Sequence, residues 1–150
     1  MISLAPDAYH IPVLAAEVAA LLAGAHSVLD GTLGGGGHSQ LLLGQGARVV
    51  AIDRDPRAIA EATAKLADYE RAGKFRAFLG NFAEVDAIDA LRGARFDGVL
   101  LDLGVSSRQL DDQARGFSFR EGAPLDMRMG EDAHRSAAPC VRRHTRERDA

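Results

Sequence analysis

The residues best suited to chemistry in this 150-residue chain gather in one short run, Asp30-Gly31-Thr32-Leu33-Gly34-Gly35-Gly36-Gly37-His38, directly after the apolar stretch Ser27-Val28-Leu29. Four glycines in a row offer nothing to a core. They suit a backbone that turns tightly while a ligand comes very close. An acidic strand end, a glycine turn and a helix start, in that order, are how α/β proteins hold nucleotide-like ligands. On the run alone, a glycine-rich surface turn with no ligand stays open as an alternative.

The spacing narrows the ligand. No three glycines fall at Gly-x-Gly-x-x-Gly, the arrangement that seats a pyrophosphate on a helix N-terminus, so a dinucleotide-dependent oxidoreductase is disfavoured. Thr32, Gly34 and Gly36 instead occupy alternate positions after Asp30. This is close to the Asp/Glu-x-Gly-x-Gly-x-Gly turn of S-adenosylmethionine-dependent methyltransferases, with Thr32 in place of the first glycine. Asp53 lies 23 residues after Asp30, at the end of the next apolar run, where a carboxylate accepts hydrogen bonds from both ribose hydroxyls. A carboxylate repels phosphate, so a non-phosphorylated ribose fits it. Asp55-Pro56 reads as a helix cap with proline at the first helical position, which leaves Asp53 for the ligand. Phe82 is placed to flank an adenine ring or, equally, to join the core. Asp102, inside Leu100-Leu101-Asp102-Leu103-Gly104, sits on the rim where parallel sheets bind ligands.

The apolar patterning supplies the frame these side chains need. A helix is expected over 12–22, with Val13, Leu14, Val18, Leu21 and Leu22 on one stripe and Gly24 as its stop. Short strands are expected over 27–31, 47–52 (ending at Asp53), 74–79 and 96–103, alternating with helices over 38–43, 55–71 and 83–91. Such alternation predicts an α/β fold with a parallel sheet and right-handed crossovers. Residues 104–130 read as loop. Residues 131–150, crowded with Arg135, Arg142, Arg143, Arg146 and Arg148, read as a disordered tail or at best a solvated helix. A net charge of -3 argues against a whole-surface nucleic-acid or membrane binder and leaves room for a local basic patch. Cys140, the single cysteine, excludes an internal disulfide and a cysteine-based zinc site. No metal site, membrane span or signal peptide is expected, and the expected location is cytoplasmic.

Beyond Asp102 the motifs become specific. Leu101-Asp102-Leu103-Gly104-Val105-Ser106-Ser107 with Gln109-Leu110-Asp111-Asp112, then Arg115-Gly116-Phe117-Ser118-Phe119-Arg120, then Gly122 with Pro124-Leu125-Asp126-Met127-Arg128-Met129, resemble the ribosomal RNA small-subunit methyltransferase H family, also called MraW. So do His10, Pro12-Val13-Leu14 and Glu17, the Asp30 to His38 run with Ser39, and Ile52-Asp53-Arg54-Asp55-Pro56 with Ala58-Ile59. The resemblance covers residues 9–130. It implies a Rossmann-like methyltransferase sheet and methyl transfer from S-adenosylmethionine to the exocyclic N4 of a cytidine in small-subunit (16S) rRNA. It also implies cofactor binding by Gly36, Gly37, His38, Asp53, Phe82, Asp102 and Gln109.

A cytosine amine is a poor nucleophile. Asp102, or the backbone beside it, is therefore expected to hold an amine N–H so that the lone pair turns toward the methyl carbon. Ser106, Ser107 and Gln109 would close over cofactor and base. Arg115, Arg120 and Arg128 are candidate phosphate contacts, with plain solvated arginines equally open. The family is longer than this chain, and the match fades after Met129. Residues 1–130 are accordingly expected to be the N-terminal part of a methyltransferase domain, truncated after the fourth parallel strand, which would be an exposed apolar edge. Two outcomes follow: an active enzyme, or an inactive truncated or frame-shifted fragment with at most weak cofactor binding.

Overall fold

The apolar runs become a parallel sheet because both of its faces find cover. In the computed structural model, which describes residues 12–130 and 133–141, the strands are β1 (Ser27–Asp30), β2 (Arg48–Asp53), β3 (Phe75–Leu79) and β4 (Gly98–Leu100). They lie in the order β3-β2-β1-β4, all parallel. Side chains alternate along β2. Val49 and Ala51 join Val28, Leu42, Leu66 and Phe75 in one core, while Ile52 joins Leu29 and Leu91 in another. Helices α2 (Gly37–Gly44), α3 (Pro56–Lys65) and α4 (Ala67–Arg71) cover the first core, and α1 (Ala15–Leu21) packs on α2. Two 3-10 turns, Phe82–Ala87 and Asp89–Leu91, cover the second. The chain steps outward from β1 to β3, then returns to set β4 on the other side of β1. Right-handed crossovers require that return to pass over the opposite face, where the 3-10 turns lie. A switch point results between β1 and β4.

Several elements depart from expectation for local reasons. Leu14 adopts left-handed geometry (φ 53°), so α1 starts at Ala15 and its half-buried stripe is Ala15, Val18, Ala19 and Leu22. Val13, Leu14 and Leu21 are exposed instead. The helix expected over 55–71 breaks at Leu66 (φ -103°, ψ 17°), whose side chain is fully buried. Its cap is as expected: the Asp55 side chain accepts from Arg57 N–H at 2.9 Å, with Pro56 following. No α-helix forms over 83–91. Val85, Ile88 and Leu91 recur every third residue, the 3-10 repeat, and all three pack in the second core. The strand expected over 96–103 pairs only over Gly98–Leu100, because β1 ends at Asp30 and turns. Val99, 58% exposed, and Leu101, 44% exposed, make this edge apolar, as expected.

Residues Leu103–Ala150 form a second unit. Helix α5 (Ser107–Asp111) opens on a reciprocal capping box: the Ser106 hydroxyl accepts from Gln109 N–H at 3.3 Å, and Gln109 Oε1 accepts from Ser106 N–H at 2.8 Å. A 3-10 turn, Gln113–Arg115, ends on Gly116 (φ 74°), where a Cβ would sit 2.3 Å from the Pro124 carbonyl oxygen. The described part of the expected tail is tied down. Residues 137–141 form a helical turn, Ala137 N–H donates to the Asp126 carbonyl at 2.7 Å, and Ala138 N–H donates to the Leu125 carbonyl at 3.0 Å. Residues 131, 132 and 142–150 of the tail, and His10, lie outside the described residues.

Candidate active site

The carboxyl ends of the strands carry most of the residues singled out by type. Asp30 ends β1 and is 1% exposed. Its Oδ1 accepts from Thr32 N–H at 3.1 Å and its Oδ2 from the Ser39 hydroxyl at 2.7 Å. Burial pushes its pKa above the ordinary carboxylate value, and the Ser39 and Thr32 bonds pull it partly back. Asp30 is thus a clasp joining β1, the turn and the first turn of α2. The glycines divide into two kinds. A Cβ at Gly31 would meet Leu101 Cδ2 at 2.6 Å, at Gly36 the Ala62 Cβ at 3.1 Å, and at Gly37 the Pro12 Cγ at 2.6 Å. At those three positions the protein's own side chains already crowd the space a Cβ would take. At Gly35 a Cβ would meet nothing within 4 Å, so that stretch is open to a ligand.

Around the turn stand groups that could hold one. Asp53 is half-buried at the end of β2; its Oδ2 accepts from Gly34 N–H at 2.7 Å and its Oδ1 from Asp55 N–H at 2.9 Å. A carboxylate offers roughly four acceptor positions, so Asp53 is fixed and can still accept from hydroxyls. Phe82, 38% exposed, lies against Gly31. Asp102 lies beyond β4 with its side chain 49% exposed, its N–H donating to Thr32 Oγ1 at 2.7 Å. His38 is buried, with Nε2 2.9 Å from the Val13 carbonyl oxygen and Nδ1 3.7 Å from Asp102 Oδ2. A carbonyl only accepts, so Nε2 donates to it. Two carboxylates on the rim disfavour phosphate. They suit a ligand that brings hydroxyls and positive charge, and S-adenosylmethionine, with its ribose hydroxyls, ammonium and sulfonium, fits that donor set.

Gly36, Gly37, His38, Asp53, Phe82 and Asp102 therefore belong to the first unit, on the elements around the turn and strand ends, whereas Gln109 belongs to the second, where it caps α5. Two of the candidate phosphate contacts are engaged within the second unit. Arg128 forks onto Asp126 through two 2.8 Å bonds, which lowers the Asp126 pKa to about 2, and Arg115 donates to the Met129 carbonyl at 2.9 Å. Arg120 has a looser contact, 4.0 Å from Asp111. Three supporting groups went unrecognised in the sequence: the Ser39 hydroxyl, the Val13 carbonyl and the Thr32 hydroxyl. Only Thr32 left a signal, as a branched residue at a glycine position. An apolar cavity of about 260 Å³, lined mainly by Leu29, Val85, Leu91 and Phe96, opens on the second core and contains none of the site residues. Among the described residues, no cluster of His, Cys, Asp or Glu could hold a metal ion, and no helix is long and apolar enough to cross a membrane.

Residues 7–149 match the model of the MraW methylase family. The ribosomal RNA small subunit methyltransferase H of Gemmatimonas aurantiaca is 58% identical over 133 residues, covering 89% of this chain and 42% of that protein. The protein of the same description from Myxococcus xanthus is 52% identical over 135 residues, covering 89% of this chain and 43% of that protein. This chain thus spans less than half the length of those relatives. Among solved structures, a candidate RNA methyltransferase of Pyrococcus horikoshii superposes with a TM-score of 0.51 at 25% identity, over 68% of this chain and 51% of that one. The C-terminal domain of precorrin-6Y C5,15-methyltransferase from Rhodobacter capsulatus shares the fold, with a TM-score of 0.50 at 19% identity over 71% of this chain and 61% of that one. The architecture is the Rossmann-like sheet of methyltransferases.

Proposed function

This chain belongs to the MraW methylase family, and on that premise we propose that it acts as an S-adenosylmethionine-dependent methyltransferase on the N4 of a cytidine in small-subunit rRNA, in the cytoplasm. The observation that carries this reading is the pairing of two rim carboxylates, Asp53 and Asp102, at the ends of β2 and β4 on either side of the Asp30 turn. S-adenosylmethionine supplies an electrophilic methyl group on a sulfonium. Asp53 accepts from the ribose hydroxyls, already oriented by Gly34 and Asp55 N–H groups. Phe82 flanks the adenine, and the backbone of Gly36, Gly37 and His38 lines the approach. Asp102 would face both partners: its carboxylate would hold the donor's ammonium, and the carboxylate or the backbone beside it would take a hydrogen bond from the cytosine amine and turn the lone pair toward the methyl carbon. The base must leave its stack to arrive there.

A second reading, donor binding without transfer, rests on the first unit alone, to which Gly36, Gly37, His38, Asp53, Phe82 and Asp102 all belong. Calorimetric titration with S-adenosylmethionine, with a methyl-transfer assay on small ribosomal subunits lacking the mark, separates the two. Binding with transfer is expected. Binding without transfer supports the second reading, and no binding overturns both.

A further inference from the structure

We propose that Thr32 is the residue that positions Asp102. This rests on the reading of Asp102 given above, but the structural part of it stands alone. The β1–β4 ladder runs in register through Asp30 and Leu100, and its last backbone bond is Gly31 N–H to the Leu100 carbonyl at 2.9 Å. In a regular parallel ladder the next donor, Asp102 N–H, would reach the carbonyl of Gly31. The glycine turn has left the strand path there, and the Thr32 hydroxyl takes the place of that carbonyl, accepting from Asp102 N–H at 2.7 Å. A side chain thus extends the sheet by one rung past the point where the backbone turns away.

That rung matters because Asp102 has little else to fix it. Its side chain is half exposed, and His38 Nδ1 stands 3.7 Å from its Oδ2, outside hydrogen-bond reach. Thr32 holds the Asp102 backbone, and the Val13 carbonyl holds the His38 ring against which the carboxylate rests. A glycine at position 32 would satisfy the turn equally well and could not make the rung. The branched residue at a glycine position is thereby explained.

The test uses the full chain with Thr32→Val, which keeps the branched shape without the hydroxyl, and Thr32→Ser, which keeps the hydroxyl. Hydrogen exchange at the Asp102 amide should quicken about tenfold in Thr32→Val and stay near wild type in Thr32→Ser. Affinity for S-adenosylhomocysteine by calorimetry should fall about three- to tenfold in Thr32→Val, recover in Thr32→Ser, and fall no further when Thr32→Val is added to Asp102→Ala. An Asp102 amide equally protected in Thr32→Val overturns the proposal. So does an undiminished loss of affinity in the Asp102→Ala background. Should the wild-type chain take up no S-adenosylhomocysteine, the proposed function fails while amide exchange still decides the role of Thr32.

Discussion

Asp30 ends β1 with both carboxylate oxygens accepting, from Thr32 N–H and the Ser39 hydroxyl, in a position that water barely reaches. Because burial raises its pKa, the folded chain binds this proton more tightly than the unfolded chain. The associated stability is fully present below the ordinary value of 3.8 and is lost as pH rises through the raised folded value. Asp30→Asn removes the titration while keeping both bonds, its oxygen accepting from Thr32 and its amide donating to Ser39. Thermal midpoints measured between about pH 3 and pH 8 should therefore show the Asn variant gaining on wild type as pH rises. A constant difference would refute the argument. Asp30→Leu leaves two buried donors unpaired and should cost about 1–3 kcal/mol for each. The sequence marks Asp30 and Asp53 alike, as acids after apolar runs. Only burial, completed by the Ser39 hydroxyl of α2, separates the Asp30 clasp from Asp53, the proposed ligand acceptor.

At the scale of elements, the two kinds of glycine make separable predictions. Gly36 is left-handed (φ 72°) and packs under Ala62 and Leu66, so it joins α2 to α3 as well as turning the chain. Gly36→Ala should lower stability by about 1–2 kcal/mol for backbone strain alone, read from denaturant unfolding. Gly35→Ala meets no neighbour and should stay within about 0.5 kcal/mol of wild type. On the proposed function it should nonetheless weaken S-adenosylmethionine binding, because the added methyl enters the open stretch. Equal effects of both changes on both measurements would merge the two classes. Alternation and capping made β1, β2, β3 and the start of α3 legible from sequence. Two features were not. The 83–91 segment reads as helix by composition, yet its spacing of three belongs to a 3-10 turn. The length of β4 is fixed by its neighbour β1, information that the 96–103 run does not contain.

At the scale of the whole molecule, the strand order turns scattered residues into a site. Asp30, Asp53 and Asp102 are far apart in sequence, and the return of the chain across β1 brings their strand ends side by side. The same order leaves β4 outermost, with no strand among the described residues on its far side and with Val99 and Leu101 exposed. A parallel strand buried on one edge only presents unpaired N–H and C=O groups, and an apolar side chain beside them removes the charge that discourages strand addition. The chain should therefore self-associate with rising concentration, measurable by sedimentation or light scattering. Val99→Lys should reduce that association while leaving stability within about 0.5 kcal/mol, since Val99 pairs with Leu29 through backbone alone and its side chain is mostly exposed. Association of undiminished strength in Val99→Lys would place the contact elsewhere. Added S-adenosylmethionine supplies the last control: on the proposed function it binds at the carboxyl end of the sheet, so association through the flank of β4 should persist in the loaded protein.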